Sequence, residues 1–193
     1  GVSDLVRFSY NNTGRTTTTD ALGMRAMQAR VYEARTAQCL LVKAPPASGK
    51  SRALMFVALD KLHYQGLAKA IVAVPERAIG GSFAPTALTA NGFFADWEVA
   101  PEHNLCTAGT DAGEGARRKV RAVGDFLASS APTLVCTHAT LRYAFDALGV
   151  EAFDRCLLAI DELHHASAAE DNRLGEVLRA LIRRGAAHLV AMT

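Results

Sequence analysis

Short apolar runs alternate with longer segments of helical periodicity along most of this chain. The apolar runs are rich in Val, Ile and Leu and carry few polar residues, as expected for strands that are buried on both faces of a sheet. They predict strands at 39–43, 70–74, 133–137, 156–160 and 188–192. Because strands that alternate with helices form parallel sheets, the pattern predicts an α/β fold with a mainly parallel central sheet covered on both faces.

The segments between these runs predict helices at 20–35, 50–65 and 116–129, and a fourth helix that ends at Gly185. Apolar residues surround the helix at 50–65 on nearly all sides, so this helix is expected to be central. The fourth helix is amphipathic, with Leu and Val side chains at intervals of three and four residues. The alternation of strand and helix therefore extends to the end of the chain.

Composition narrows the class of protein. The chain has 193 residues, of which 50% are hydrophobic and 21% charged, and this excludes a disordered or collagen-like chain. A net charge of +2 neither requires nor excludes a nucleic-acid partner. The apolar runs are far shorter than the roughly 20 residues of a transmembrane helix. With no secretory signal visible, a soluble cytoplasmic protein with no membrane partner is predicted.

The first 19 residues are polar and rich in Thr, and we expect them to form an N-terminal arm before a single domain at 20–193. The chain stops at Thr193 directly after an apolar run, which predicts that it is truncated from a longer chain. Cysteines stand at positions 39, 106, 136 and 156, with no C-x-x-C pair among them. Reduced thiols in the core are therefore favoured over a disulfide or a zinc site.

A phosphate-binding pattern follows the first predicted strand. Residues 44–51, with the sequence APPASGKS, fit the loop G-x-x-x-x-G-K-[ST] except that Ala44 replaces the first glycine. A turn from a strand into a helix points backbone N–H groups and the helix dipole at one place, where phosphate binds. Gly49 would admit the phosphates, Lys50 would supply positive charge and Ser51 would offer its hydroxyl to Mg²⁺. The alternative is an ordinary turn with a solvated Lys50.

Two adjacent carboxylates follow another predicted strand, at 156–160. Since the carboxyl ends of parallel strands face one crevice, Asp161 and Glu162 are expected to lie opposite the phosphate loop. Asp161 would hold Mg²⁺, and Glu162 would polarise the water that attacks a γ-phosphate. The alternative makes Asp161 the cap of a turn and Glu162 a solvated charge. For His164 and His165, a polar link across the crevice by one of the two is favoured over a metal site, because adjacent residues rarely face one ion.

Taken in order, these motifs resemble the first RecA-like motor domain of a superfamily 2 helicase or translocase of the DExH kind. DEAD/DEAH box helicases and type III restriction subunits carry such domains. The resemblance covers about 22–193. Motif I at 44–51 and the D-E-x-H box at 161–164 are specific as a pair, and alanine at the first position of motif I is common in this superfamily.

The resemblance implies a site for Mg-ATP. Arg25 and Gln28 match the R-x-x-Q element, which reads adenine in the family. The residues expected to hold the nucleotide are Arg25, Gln28, Ala44, Pro45, Pro46, Ala47, Ser48, Gly49, Lys50, Ser51, Asp161, Glu162 and His164. Among these, Glu162, Lys50 and Asp161 are expected to be catalytic, and Ser51 and Asp161 are expected to bind Mg²⁺.

Other motifs of the family imply contacts with nucleic acid and coupling to movement. Pro75 and Arg77 resemble motif Ia, and Thr137 and His138 resemble the next nucleic-acid motif. Both motifs contact the backbone of one strand in the family. In addition, His164 and Thr193 are expected to couple hydrolysis to movement, because 191–193 resembles the start of motif III. Each of these residues also has a structural alternative, such as a helix cap for Thr137.

The function implied is hydrolysis of Mg-ATP that drives movement on DNA or RNA, with DNA slightly favoured. In the family, ATP is hydrolysed in a cleft shared with a second RecA-like domain, which supplies arginine fingers. Because such an arginine contributes about 10³ to 10⁵ in rate, this chain alone is expected to be nearly inactive. The alternatives are a phosphate-loop kinase or phosphotransferase, for which no Arg-rich lid is visible, and a non-catalytic module switched by nucleotide.

The segment 80–132 is longer than the family core requires. It contains Phe83, Phe93, Phe94 and Trp97, which are expected to form a local core under a long loop, with base stacking as the alternative. The basic residues of the predicted helix at 116–129 are expected to form a solvated face, with a nucleic-acid groove as the alternative.

Overall fold

The structure, a computed structural model, describes residues 4–10, 19–45, 48–75, 81, 83–107, 113–163 and 172–193. The strands in these residues are β1 (Leu5–Ser9), β2 (Cys39–Lys43), β3 (Lys69–Val74), β4 (Thr133–Thr137), β5 (Cys156–Ile160) and β6 (His188–Met192). The α-helices in them are α1 (Ala26–Glu33), α2 (Lys50–Tyr64), α3 (Gly113–Ala128), α4 (His138–Leu148) and α5 (Asn172–Arg184).

The strands form one sheet in the order β1-β2-β6-β5-β3-β4, and every pairing between them is parallel. Apolar residues of α1 and α2 pack on one face of the sheet, and those of α3, α4 and α5 pack on the other. This arrangement confirms the predicted three-layer α/β fold. Because the strands share one direction, their carboxyl ends all lie along the same edge of the sheet.

The central elements match the pattern of apolar residues closely. β2, β4, β5 and β6 have the predicted bounds, and β3 begins one residue earlier than predicted. Each residue of β3, β4 and β5 is buried, which explains why these strands appear in the sequence as continuous apolar runs. As expected, α2 is central, with every residue from 53 to 61 buried.

β1 lies at the edge of the sheet, within the segment assigned to an N-terminal arm. It pairs with β2 in parallel, from Leu5 opposite Cys39 to Ser9 opposite Lys43. No residue of β1 is fully buried. A short, half-exposed strand lacks the continuous apolar run that identifies the central strands, and the sequence analysis did not predict it. The boundary drawn at residue 20 therefore leaves out a strand that pairs with the sheet.

The predicted helix at 20–35 begins later in the structure, at Ala26. The Asp20 carboxylate accepts hydrogen bonds from the N–H groups of Leu22 (2.9 Å) and Met24 (3.0 Å). Side-chain acceptors of this kind stabilise a turn in competition with a helix. The helix then starts at the residue after Arg25, which is its N-cap.

α4 was not predicted, although its sequence carries a signal for it. Leu141, Ala144 and Phe145 are buried against the second face of the sheet at helical spacing. The helix is capped by Thr137, whose hydroxyl oxygen accepts a hydrogen bond from the N–H of Thr140 at 3.2 Å. The structural alternative that the sequence left open for Thr137 is therefore present in the fold.

The aromatic residues between β3 and α3 form the local core that was favoured. Phe83, Phe93 and Trp97 are buried in the core that α1 and α2 share with the sheet. The indole N–H of Trp97 donates to the carbonyl of Phe83 at 3.0 Å, which satisfies the polar atom of this buried ring. Phe94 differs from the other three, because 39% of its surface is exposed.

Part of the basic face of α3 differs from the expectation. Arg117 and Arg121 are exposed and form ion pairs with Glu114, as a solvated face would. Lys119 instead is buried, with only 2% of its surface exposed.

The expected burial of the cysteines is confirmed, because all four thiols lie in the interior of the domain. In the described part of the chain, no helix is both long and apolar enough to cross a membrane.

A buried lysine and a histidine meet at the amino end of β6. Lys61 is fully buried, and its Nζ donates to the carbonyl of Ala37 at 3.0 Å and lies 2.7 Å from Nδ1 of His188. Because the ammonium can only donate, Nδ1 accepts this hydrogen bond. Burial lowers the pKa of Lys61 to about 8. Burial, together with the charge of Lys61, lowers the pKa of His188 to about 4, against a small opposing effect of Asp4.

This pair predicts a specific dependence of stability on pH. Between the folded pKa of about 4 and the unfolded value of 6.5, the unfolded chain protonates His188 and the folded chain does not. The unfolded state then binds more protons, so the free energy of unfolding rises with pH across this window. His188→Asn keeps an acceptor for Lys61 but cannot take up a proton. Its free energy of unfolding, measured by urea denaturation, should therefore rise less steeply with pH across this window. Equal slopes of unfolding free energy against pH for the wild-type protein and His188→Asn would contradict the prediction. His63→Asn, at an exposed position of α2, is the control.

Candidate functional site

The residues singled out in the sequence gather at the carboxyl edge of the sheet. The loop that follows β2 and the acidic pair that follows β5 are separated by β6 in the sheet order. Thr193 follows β6, and its carbonyl accepts a hydrogen bond from the N–H of Ala44 at 3.2 Å. The chain end thus lies directly beside the start of the loop at 44–51.

The loop enters α2 through a glycine in a left-handed conformation. Gly49 is the N-cap of α2 and has φ of +86°. Ser48 lies just before it, and its hydroxyl donates to the carbonyl of Pro45 at 2.7 Å. Pro46 and Ala47 lie outside the described residues. A residue with a Cβ at position 49 would be strained, and the added atom would lie 2.5 Å from Nε2 of Gln28.

Gln28 holds the start of α1 against this loop. Its side-chain oxygen accepts a hydrogen bond from the N–H of Arg25 at 2.8 Å, and its Nε2 donates to the carbonyl of Gly49 at 3.0 Å. Only 1% of Gln28 is exposed. The glutamine expected to read adenine is therefore engaged by the protein itself, and its contact with adenine stays a prediction. Its neighbour Arg25 is half-buried beside Gly49.

An ion pair joins the two halves of the site. Lys50 is the first residue of α2, and its Nζ lies 2.9 Å from Oε1 of Glu162. The side chains are only 10% and 24% exposed, so salt screens this pair less than it screens a surface pair. Ser51 follows at the second position of α2, where the positive end of the helix dipole lies.

The backbone around the acidic pair is held on both sides. The N–H of Asp161 donates to the carbonyl of Ala73 in β3 at 2.9 Å. Its carbonyl lies 2.8 Å from Nε2 of His138. The next residue, Glu162, has φ of +54°, a left-handed conformation that is uncommon in residues other than glycine. Asp161 itself is 5% exposed.

The side chains at this edge suit a magnesium ion. Ser51 offers a hydroxyl and Asp161 a carboxylate, and oxygen ligands are those that Mg²⁺ prefers. Proteins usually bind this ion through one or two carboxylates and the phosphates of a nucleotide, rather than through a full cage of side chains. The chemistry of the donor set therefore fits the predicted ion.

Comparison with known proteins decides the family. A sequence model of the DEAD/DEAH box helicases matches residues 25–193. This chain belongs to that family. It is also 53% identical over 192 residues to a protein of Bacillus subtilis (strain 168) named "Putative ATP-dependent helicase YeeB". The alignment covers 100% of the chain but only 31% of that relative, so the chain spans less than a third of the relative's length.

The family and the fold together confirm the main prediction from sequence. The chain is the first RecA-like domain of a superfamily 2 helicase, with the parallel α/β sheet of that fold. It is thus a helicase motor domain.

The residues predicted to contact nucleic acid are less exposed to solvent than such a contact suggests. In this helicase domain Thr137 and His138 are 2% and 5% exposed, and both side chains are engaged inside the domain. Pro75 follows β3 and is half-buried, whereas Arg77 lies outside the described residues. Contact of these residues with nucleic acid stays a prediction.

Two further predictions concern the acidic motif and the chain end. His164 and His165 lie outside the described residues. Thr193 is half-buried, and its N–H donates to the carbonyl of Val42 in β2 at 2.9 Å, while its carbonyl pairs with Ala44 directly after that strand. Its role in coupling stays a prediction.

Sequence reasoning missed the contact between His138 and Asp161. The two residues follow β4 and β5, which are consecutive strands in the chain but are not neighbours in the sheet, because β3 lies between them. No local pattern encodes a hydrogen bond from a side chain to a backbone carbonyl across such a distance. Knowing the order of the strands would have been the only way to anticipate it.

The left-handed conformation of Glu162 predicts that glycine at this position gives a more stable protein than alanine, the reverse of the usual order. Glu162→Ala and Glu162→Gly both remove the partner of Lys50, but only glycine adopts this backbone conformation without strain. The glycine variant should be more stable in urea denaturation by about 1 kcal/mol. On the exposed face of α3, Arg118→Gly should instead be less stable than Arg118→Ala by roughly 0.5–1 kcal/mol. The same ranking at both positions would contradict the assigned strain.

Proposed function

We propose that this domain binds Mg-ATP at the carboxyl edge of its sheet and hydrolyses it, within a longer protein, to drive movement along a nucleic-acid strand. The observation that supports this most strongly is the ion pair between Lys50 and Glu162. It brings together a cation at the start of α2 and a carboxylate that follows β5. These are the two groups that phosphate binding and water activation require.

Binding of the phosphates rests on the start of α2. Backbone N–H groups in the first turn of a helix have no acceptor within the helix, and together with the dipole they attract an anion. Gly49 has no side chain to obstruct a close approach, and Lys50 begins the helix at that place. As the phosphates bind, Lys50 exchanges the carboxylate of Glu162 for phosphate oxygens.

The ion would be held by the hydroxyl of Ser51 and the carboxylate of Asp161. When bound, it neutralises charge on the β- and γ-phosphates and fixes their orientation. Glu162, released from Lys50, then orients the attacking water and accepts its proton. Gln28 and Arg25 lie beside Gly49, where they would contact the base of the nucleotide.

The second RecA-like domain of the full-length protein is the proposed partner of this site. The chain spans 31% of its relative's length, which leaves ample sequence for such a domain there. An arginine supplied by that domain would contribute about 10³ to 10⁵ in rate, so the 193-residue chain alone should bind nucleotide but turn it over very slowly. DNA is the nucleic acid to test first, and RNA is the second. A cytoplasmic location is also proposed.

Nucleotide binding is tested by thermal unfolding of the 193-residue chain with and without Mg-ADP. At about 100 times its dissociation constant, a ligand adds roughly 2.7 kcal/mol, which corresponds to about 5–10 °C for a domain of this size. This shift should disappear in Lys50→Ala, because the variant lacks the phosphate-binding cation. Arg121→Ala, which removes an exposed cation on α3, should keep it. The assignment of the loop fails if Lys50→Ala and Arg121→Ala respond alike.

Hydrolysis is tested in the full-length protein with Glu162→Gln. This variant keeps the size and polarity of the side chain but loses the base, so kcat should fall by about 10² to 10⁴ while the affinity for ATP stays within a few fold. The measurement is steady-state phosphate release, with DNA and then RNA present. Unchanged turnover in Glu162→Gln would remove this residue from the mechanism, and a non-catalytic nucleotide switch would predict no turnover in either protein.

A further inference from the structure

His138 occupies an unusual place for a residue expected to touch nucleic acid. It is the first residue of α4, directly after β4, yet only 5% of it is exposed. Its imidazole crosses the carboxyl end of β3, and Nε2 lies 2.8 Å from the backbone carbonyl of Asp161 after β5. The side chain therefore faces the acidic motif and the interior of the domain.

The direction of this hydrogen bond is fixed by its acceptor. A carbonyl oxygen cannot donate, so Nε2 of His138 carries the hydrogen and donates it to Asp161. Both the neutral Nε2–H tautomer and the imidazolium can do this.

The carbonyl that His138 holds belongs to the peptide group between Asp161 and Glu162. The other side of Asp161 is fixed as well, because its N–H donates to the carbonyl of Ala73 in β3. With both peptide groups anchored, the direction of the Glu162 side chain depends on rotation about its own N–Cα bond. That rotation has the left-handed value of +54°.

A left-handed glutamate persists only where the surroundings determine it, since the same residue has lower energy with negative φ. Among the described residues, one contact acts on the backbone before this residue and another acts on its side chain. His138 holds the peptide group that precedes Glu162, and Lys50 pairs with its carboxylate at 2.9 Å. When Lys50 transfers to phosphate, the contact from His138 is the one of these two that remains.

We propose that His138 is a positioning residue that keeps the carboxylate of Glu162 directed at the attacking water, through the hydrogen bond from its Nε2 to the carbonyl of Asp161. The inference rests on the proposed function for the role of Glu162. It assigns to His138 a task inside the nucleotide site, in place of the nucleic-acid contact that the resemblance implies. Direct contact with nucleic acid and a purely structural hydrogen bond are the competing explanations.

The kinetic test compares His138→Ala with His138→Gln in the full-length protein, with DNA or RNA at saturation. Alanine cannot donate, whereas the Gln amide nitrogen can reach a position close to that of Nε2. We expect kcat for ATP to fall about tenfold or more in His138→Ala, with KM for ATP within about threefold, and to recover to within about threefold in His138→Gln. His63→Ala, at the exposed end of α2, should leave both constants unchanged.

A structural readout does not depend on hydrolysis. Crystal structures of the 193-residue chain without nucleotide should show a negative φ at Glu162 and a broken Lys50–Glu162 pair in His138→Ala. Both features should be retained in His138→Gln. If the alanine variant does not fold, His138→Asn replaces it, because the shorter amide falls short of the Asp161 carbonyl.

Three results would overturn the proposal. The first is a positive φ at Glu162 together with normal kcat in His138→Ala. The second is an equal loss of kcat and of unfolding free energy in the alanine and glutamine variants, which is the result for a purely structural bond. The third is a weaker affinity for nucleic acid with normal kcat at saturation, which is the result for direct contact. If the wild-type protein binds no nucleotide, the proposed function fails, and the φ comparison still decides the positioning role.

Discussion

The common direction of the strands is the constraint on which the rest of this domain depends. Each parallel connection must return through a helix, so the helices α1 to α5 cover both faces of the sheet and its central strands are buried. The same constraint gathers the chain segments that follow each strand at a single edge. Polar residues that are more than a hundred positions apart, such as Lys50 and Glu162, meet there without any local signal between them.

The parts of the fold that the sequence predicted are those in which burial dominates. Strands buried on both faces must be apolar throughout, so their bounds could be located almost to the residue. At the edge of the sheet the requirement for apolar residues is weaker. β1, which has no fully buried residue, therefore shows no continuous apolar run. The start of α1 was misplaced for another reason, because the Asp20 carboxylate stabilises a turn where the periodicity alone permits a helix.

For the candidate site, the sequence predicted which segments come together but not the hydrogen bonds and backbone conformations of their residues. The loop before α2 and the acidic pair after β5 were both expected, and the order of the strands brings them together. The engagement of Gln28 with Gly49 and the left-handed Glu162 were not foreseen. The hydrogen bond between Gln28 and Gly49 joins segments that are remote in the chain, and such bonds are determined by tertiary structure rather than by local sequence.

The ion pair between Lys50 and Glu162 has a consequence for the choice of ligand. Because the lysine is already neutralised by a carboxylate of the domain, a ligand has to compete with that carboxylate for it. A nucleoside carries no charge with which to compete, and a monophosphate carries less charge than a di- or triphosphate, which presents the most anionic oxygens to the same cation. Under the proposed function, selection for polyphosphates thus precedes recognition of the base, and the exchange that admits the ligand also releases the glutamate.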